Sequence, residues 1–143
     1  MAHSFTMTRS VTFAETDMAG ILHFSNYFRY MEETEHAFFR SLGFRVQECK
    51  RSGAWGWARR SASCDYQRPL RYEDEVELRL LVKEKRSKAL VYQIRFLLDG
   101  VEVARGEVTA VCVAKTEDGQ LRATEMPAVV DAAVEAAPDG MAV

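Results

Sequence analysis

Residues 17–27 read Asp-Met-Ala-Gly-Ile-Leu-His-Phe-Ser-Asn-Tyr, so that one acid stands just before a glycine-containing turn and the turn leads into an amphipathic helix. A helix N-terminus offers unpaired backbone N–H groups and partial positive charge, which suits a developing oxyanion. An acid a few residues upstream can attack a carbonyl held there, or activate a water against it. The stretch therefore predicts acyl transfer or hydrolysis, with Asp17 as the acid.

A long helix is predicted directly after this turn. The residues expected to face the core recur at three- and four-residue spacing: Tyr27, Tyr30, Met31, Thr34, Phe38 and Leu42. Most of the positions between them are polar, Glu35 among them, which is typical of an amphipathic helix of about four turns. We expect Ser25 or Asn26 to be the N-cap, and Gly43 to end the helix.

Long strands are predicted on both sides of this helix. Apolar residues alternate with mostly polar ones in a first strand: Phe5, Met7, Val11 and Phe13. After a linker around residues 47–53, further strands are expected near Trp55–Tyr66, Asp74–Lys85, Lys88–Leu98 and Val101–Thr116. The pair Asp99-Gly100 predicts a tight hairpin, Gly119 a second turn, and Pro127 the start of a short terminal helix.

One strand, one long helix and four long antiparallel strands indicate an α+β fold, in which a curved antiparallel sheet of about five strands wraps around one helix. Residues 1–143 are expected to form a single domain with its core at about 5–132. Strands of this length leave an exposed edge, which two copies can cover by pairing edge to edge. We therefore expect a homodimer, and pairing of dimers into a homotetramer.

Composition narrows the possible functions. The chain has 143 residues, of which 48% are hydrophobic and 28% charged, and its net charge of −2 gives no support for a nucleic-acid or membrane partner. The N-terminus lacks the pattern of a secretory signal, and the three cysteines form no Cys-x-x-Cys pair, so a cytoplasmic protein is expected. His36 and Glu32 share a helix face without further ligands at usable spacing, so no metal is expected.

The motif resembles that of the 4-hydroxybenzoyl-CoA thioesterase family of hotdog-fold acyl-CoA thioesterases. The resemblance rests on Thr16-Asp17-x-Ala19-Gly20-Ile21, then Asn26-Tyr27, then the helix with Tyr30 and Glu32. It continues in the basic segment 83–88 and the closing segment 121–127, and so covers about residues 5–132. It is specific to the fold and to acyl-thioester chemistry rather than to one substrate.

The resemblance implies a set of roles. Asp17 would be the nucleophile or the general base, and the backbone N–H of Phe24 would polarise the thioester carbonyl. Gly20 and Tyr27 would lie at the substrate. The residues implied for the phosphates of coenzyme A are Arg86, Lys88 and Arg122. Coenzyme A would enter as part of the acyl-CoA substrate, with no metal or redox cofactor.

Several alternatives stay open at this point. His23 stands where relatives usually carry an aromatic residue, and it either lines the site or transfers a proton. Glu32 is the alternative acid, because some thioesterases of this fold carry theirs on the long helix. The residues also allow a hydroxyacyl-thioester dehydratase, which pairs a histidine with an acid, or a non-catalytic protein that only binds acyl-CoA. Cys64 and Cys112 are expected to be small core residues.

Overall fold

The computed structural model describes residues 1–45, 48–50 and 53–141. Its strands and helices are β1 (Ser4–Ser10), α1 (Ser25–Ser41), β2 (Glu48–Lys50), β3 (Gly53–Tyr66), β4 (Glu75–Lys85), β5 (Ala89–Leu98), β6 (Val101–Lys115), β7 (Leu121–Ala123) and α2 (Ala128–Ala133). All strand pairs are antiparallel, in the order β1-β4-β5-β6-β3-β2, and β7 pairs with β6. Five long strands around one long helix confirm the predicted α+β hotdog fold.

Helix α1 occupies the predicted span, and its core-facing side is the predicted one with two additions, Glu35 and Phe39. The helix ends just before Gly43, as predicted. Gly43 has a φ of +90°, which glycine adopts readily and most other residues do not. The predicted N-cap is wrong. Phe24 occupies that position without a side-chain cap, because Ser25 bonds to the ring of His23 and the Asn26 amide donates to a backbone carbonyl instead.

The first strand is shorter than predicted. It ends at Ser10, and residues 13–15 form a single 3-10 turn. Val11 is buried as expected, but Phe13 is 73% exposed. The alternation that predicted burial of Phe13 no longer applies once the chain has left the sheet, so the ring lies at the surface, edge-on to Tyr72.

The hairpin at residues 99–100 and the short terminal helix lie where the sequence predicts them. Asp99 and Gly100 have φ of +50° and +80°, as a two-residue hairpin of type I′ requires. Pro127 immediately precedes α2, which confirms the short terminal helix. Strand β2 falls inside the predicted linker 47–53, and residues 47, 51 and 52 of that linker lie outside the described residues.

A β-bulge between Arg59 and Ser61 determines which side chains of β3 face the helix. Trp57 and Arg59 before the bulge, and Ala62 and Tyr66 after it, all oppose even-numbered residues of β6 and therefore share one face. Without the extra residue, the second half of the strand would present its other face to α1. The bulge thus gives the cleft between α1 and β3 one continuous wall.

Helix and sheet approach closely at Gly106 in the middle of β6. A Cβ atom at this position would lie 2.1 Å from the sulfur of Met31 and 3.1 Å from the carbonyl oxygen of Ser63. Glycine is therefore required here for space rather than for its φ angle. The missing side chain lets Met31 of α1 rest directly on the sheet.

Candidate active site

Asp17 sits in a tight turn held by the backbone. Its N–H donates to the carbonyl of Ile21 and its carbonyl accepts from Gly20 N–H, each at 2.9 Å, and Gly20 has a φ of +79°. The Oδ1 atom of Asp17 accepts the N–H of Ala19 at 2.9 Å. Among the described residues, Oδ2 has no hydrogen-bond partner. One carboxylate oxygen is thus fixed in place, and the other is free to react.

The N-terminus of α1 lies beside this carboxylate. The N–H of Phe24 makes no hydrogen bond to another described residue, while its carbonyl accepts the hydroxyl of Tyr66 at 3.2 Å. A free N–H at a helix N-terminus is the donor that an oxyanion needs. Asp17, Phe24, Tyr27 and Tyr66 together line an open cavity of about 430 Å³, which we call the Asp17 cavity.

His23 lies beside this cavity rather than in its wall. Its ring stacks on Phe24 at 4.6 Å between centroids, and Nδ1 lies 2.7 Å from the hydroxyl of Ser25 and accepts the Ser25 N–H at 3.3 Å. Only Nε2 is therefore left to meet a substrate. The contacts favour a role in holding the helix N-terminus over direct proton transfer.

Tyr27 forms the buried side of the Asp17 cavity. Its ring packs edge-on against Tyr66 at 4.7 Å and tilts against Phe96 at 5.3 Å. Burial raises the pKa of Tyr27 to about 12, so its hydroxyl stays protonated at neutral pH. The residue supplies a neutral wall next to the predicted acid.

A polar network behind the Asp17 turn was missed by the sequence analysis. The guanidinium of Arg9 donates to both oxygens of Glu15 at 2.6 and 2.7 Å and to Glu33 at 2.8 Å. It also lies 3.9 Å from the ring centre of Tyr30, whose hydroxyl donates to Glu15 at 2.6 Å. No spacing rule links these positions, which come from β1, the 3-10 turn and α1. The network joins all three elements immediately before Asp17.

Glu15 is the centre of that network. Partial burial alone would raise its pKa, but the hydrogen bonds from Arg9 and Tyr30 outweigh burial and lower the pKa to about 2. Its backbone carbonyl accepts the His23 N–H and the Asn26 amide, each at 2.9 Å. Glu15 therefore ties the chain on both sides of Asp17 to the start of the helix.

The structure places the three predicted phosphate-binding residues together but far from Asp17. Arg86 and Lys88 lie in the turn between β4 and β5, and Arg122 is on β7 opposite Ala114 of the neighbouring strand. This is the far end of the sheet, and β4 alone spans about 35 Å. Arg86 is exposed and pairs with Glu84 at 2.7 Å. None of the three lines the Asp17 cavity.

The alternative acid Glu32 lies further along the same cleft. It lines a second cavity of about 110 Å³ between α1 and the sheet, which we call the Tyr92 cavity. Glu35 lines it too and is only 2% exposed, so its assignment to the polar face was wrong. The reason is Arg59, which reaches across from β3 and donates to both oxygens of Glu35, at 3.0 Å for Oε2.

Neither Cys64 nor Cys112 is an activated nucleophile. Burial raises the pKa of Cys64 to about 12 and that of Cys112 to about 11, so both stay protonated. Within residues 1–45, 48–50 and 53–141, no three His, Cys, Asp or Glu side chains come together as metal ligands would. No helix in the same ranges is long and apolar enough to cross a membrane.

Comparison with known proteins identifies the family. Residues 11–134 match the model of the thioesterase-like superfamily. A relative from Aquifex aeolicus (strain VF5) with the provisional name of an esterase is 35% identical over 111 residues, which are 78% of this chain and 85% of the relative. The 1,4-dihydroxy-2-naphthoyl-CoA hydrolase of Synechococcus sp. (strain CC9311) is 26% identical over 96% of this chain and 93% of its own.

A solved structure supports the same family. The gentisyl-coenzyme A thioesterase BH1999 aligns with a TM-score of 0.78 and 28% identity, over 89% of this chain and 99% of that one. The chain belongs to the thioesterase-like superfamily. It is accordingly a thioester hydrolase of the hotdog fold, and the Asp17 turn at the helix N-terminus is its candidate active site.

Proposed function

We propose that this protein hydrolyses an acyl- or aryl-CoA thioester to the free acid and coenzyme A, with Asp17 as the nucleophile or the general base. The observation that carries the proposal is the pairing of a half-free carboxylate with the unbonded N–H of Phe24 in one cavity. Similarity to a gentisyl-coenzyme A thioesterase and to a naphthoyl-CoA hydrolase supports the CoA thioester as substrate. The finer placement in the 4-hydroxybenzoyl-CoA thioesterase family belongs to the same proposal, as does a cytoplasmic location.

The proposed chemistry needs only groups of this chain and water. With the thioester carbonyl at Phe24 N–H, Asp17 either attacks the carbonyl carbon and forms an acyl anhydride, or takes a proton from an attacking water. In both cases the C–S bond breaks, the CoA thiolate leaves and takes up a proton, and one water is consumed. The Phe24 N–H stabilises the oxyanion by roughly 3 kcal/mol. No metal or redox cofactor takes part.

Binding of the CoA phosphates at Arg86, Lys88 and Arg122 requires a second copy. Among the described residues, no strand pairs with the outer edge of β3 beyond Trp55. If two such edges pair antiparallel, the end of β3 at Tyr66 in one copy lies beside the start of β3 in the other copy. Only β6 separates the start of β3 from β7, so Tyr66 of one copy comes near β7 of the other. We propose this homodimer as the active form, and a tetramer as a pair of such dimers.

The test is release of CoA thiol from a panel of aryl-, short- and long-chain acyl-CoAs. Asp17→Asn keeps the acceptor for the Ala19 N–H, so the fold should persist while kcat falls about 10³-fold. The matched control is Asp118→Asn, an exposed acid in a remote turn. Activity that survives Asp17→Asn would move the chemistry to Glu32 or His23.

The dimer can be tested by mixing two inactive or weakened variants. Asp17→Asn and a triple variant with Arg86, Lys88 and Arg122 each changed to Gln would form mixed dimers that retain one complete site. Activity at low substrate concentration should then exceed that of either variant alone. If mixing gives only the average, each site uses residues of one chain. Formation of an enoyl product would indicate a dehydratase, and tight binding without turnover a binding protein.

A further inference from the structure

The segment that follows β3 runs beside the Asp17 turn and forms part of the wall of the Asp17 cavity. The N–H of Leu22 donates to the carbonyl of Leu70 at 2.7 Å, and the two stretches run antiparallel. Two residues further along each stretch, Phe24 and Arg68 leave the pair at the same end, and both line the cavity. Arg68 therefore lies close to the N–H that is the proposed oxyanion donor.

Arg68 combines a fixed backbone with a free side chain. Its N–H and that of Gln67 both donate to the carbonyl of Val103, at 3.1 and 2.8 Å, and Pro69 follows directly. The side chain is exposed, and its guanidinium makes no hydrogen bond or ion pair with the described residues. A guanidinium is a planar fork of N–H donors that suits carboxylates and phosphates. Arg68 can therefore bind an anion without first breaking another contact.

Two charged side chains stand among the described residues that line the Asp17 cavity, those of Asp17 and Arg68. They form no ion pair with each other, so a ligand can lie between them. A negative charge on the acyl group is repelled by Asp17 unless a cation lies beside it. Arg68 supplies that cation, and the cavity is therefore suited to an acyl group that carries its own carboxylate.

The distance from Phe24 to Arg68 decides which anion of the substrate the guanidinium meets. Paired backbones lie about 5 Å apart and an extended arginine side chain adds about 6 Å, so the guanidinium reaches about 11 Å from the Phe24 N–H. Hydrogen bonds of about 3 Å at each end leave about 5 Å, or about four bonds, between carbonyl and anion. The first phosphate of coenzyme A is about 15 Å from the sulfur when the arm is extended. The anion at Arg68 therefore belongs to the acyl group.

We propose that Arg68 binds a carboxylate on the acyl group, so that the preferred substrates are CoA monothioesters of short dicarboxylic acids. This rests on the proposed thioester hydrolysis at Asp17. With the thioester carbonyl at the Phe24 N–H, the guanidinium of Arg68 donates to the far carboxylate. Arg68 determines specificity in this way without touching the reacting atoms.

The matched substrates are glutaryl-CoA, whose carboxylate is about four bonds from the thioester carbonyl, and valeryl-CoA, which has the same carbon chain without the charge. After subtraction of the enzyme-free rate, we expect kcat/KM to favour glutaryl-CoA by about tenfold in the wild type. In Arg68→Gln the ratio should fall to one or below. Arg71→Gln, at an exposed arginine that does not line the cavity, is the matched control and should keep the wild-type ratio.

A wild-type ratio of one or below would overturn the inference, and so would a ratio that Arg68→Gln and Arg71→Gln lower equally. The same two acyl groups on N-acetylcysteamine, a thiol without phosphates, locate the anion. The preference and its loss in Arg68→Gln should persist with these thioesters. If Arg68→Gln instead raises KM equally for both CoA substrates and leaves the N-acetylcysteamine thioesters unaffected, Arg68 binds a phosphate of coenzyme A and the inference fails.

Calorimetric binding of glutaryl-CoA and valeryl-CoA to Asp17→Asn, with and without Arg68→Gln, separates this inference from the proposed function. A preference for glutaryl-CoA that depends on Arg68, without hydrolysis of either substrate by the wild type, would remove only the proposed function. Hydrolysis of both substrates without preference would remove only the inference.

Discussion

At the outer end of the cleft between α1 and β3, Asp17 keeps one carboxylate oxygen without a partner, whereas at the inner end both oxygens of Glu35 are held by Arg59. The first carboxylate lies in a wide cavity open to water, and the second is 2% exposed. An acid that must react needs a free oxygen, and a buried acid needs a full set of partners. The two carboxylates thus differ as the proposed reactive group and a structural one.

The sharpest way to break this comparison is to truncate the buried acid. Glu35→Ala leaves Arg59 with only a longer contact, 3.8 Å between its Nη2 and Oε2 of Glu32. We expect the free energy of unfolding in urea to fall by about 2–4 kcal/mol, since Arg59 is part-exposed. Asp17→Asn should change it by less than about 0.5 kcal/mol. Glu117→Ala, at an exposed glutamate of a remote turn, is the control. Equal stabilities of Glu35→Ala and Glu117→Ala would refute the structural role.

A second test concerns Glu15, which stands two residues before Asp17 but accepts hydrogen bonds at both of its carboxylate oxygens. Its pKa of about 2 in the folded state lies below the ordinary value of 4.5, so the unfolded state takes up a proton first as the pH falls. The stabilisation is therefore present above pH 4.5 and is lost between about pH 4.5 and 2. We expect it to be on the order of 2 kcal/mol, allowing for partial exposure.

The measurement is urea unfolding of wild type and Glu15→Gln at a series of pH values, with Glu117→Gln as control. The difference between wild type and Glu15→Gln should shrink as the pH falls through this window. Parallel curves would mean that the charge of Glu15 does not hold the turn. Because the network joins both sides of Asp17, Glu15→Gln should also lower kcat more than it raises KM.

The smallest effect on catalysis is expected from the basic residues at the end of the sheet far from Asp17. Arg122→Gln should raise KM for acyl-CoA about three- to tenfold with little change in kcat, because an exposed phosphate contact is screened by solvent. The increase should shrink at high ionic strength. Lys83→Gln, whose ammonium pairs with Glu107 at 2.9 Å, is the control. An unchanged KM at low salt would remove Arg122 from the proposed phosphate site.

The elements of this fold were predictable because their signals are local. The spacing from Tyr27 to Phe38, the glycine at 43 and the pair Asp99-Gly100 each act within a few residues. The same holds for the turn at Asp17 and the N–H at Phe24. The failures at Phe13 and at the N-cap arose where the chain leaves a regular element and the alternation no longer applies.

The side chains that meet in the cleft between α1 and β3 could not be predicted, for a different reason. Glu35 and Arg59 come from a helix and a strand 24 positions apart, and Tyr92 from a third element. The bulge after Arg59 also shifts the alternation of β3, so simple counting places its second half on the wrong face. Arg9 and Glu15 likewise meet only through tertiary packing.

The contact at Gly106 links two positions that are far apart in the chain. Because a Cβ there would collide with the sulfur of Met31, the two residues share a fixed amount of space. A larger residue at 106 is tolerable only with a smaller one at 31, and a shorter residue at 31 would enlarge the Tyr92 cavity, which Met31 lines. The size of this cavity can therefore diverge among related chains through one exchange of volume, without any change at Asp17.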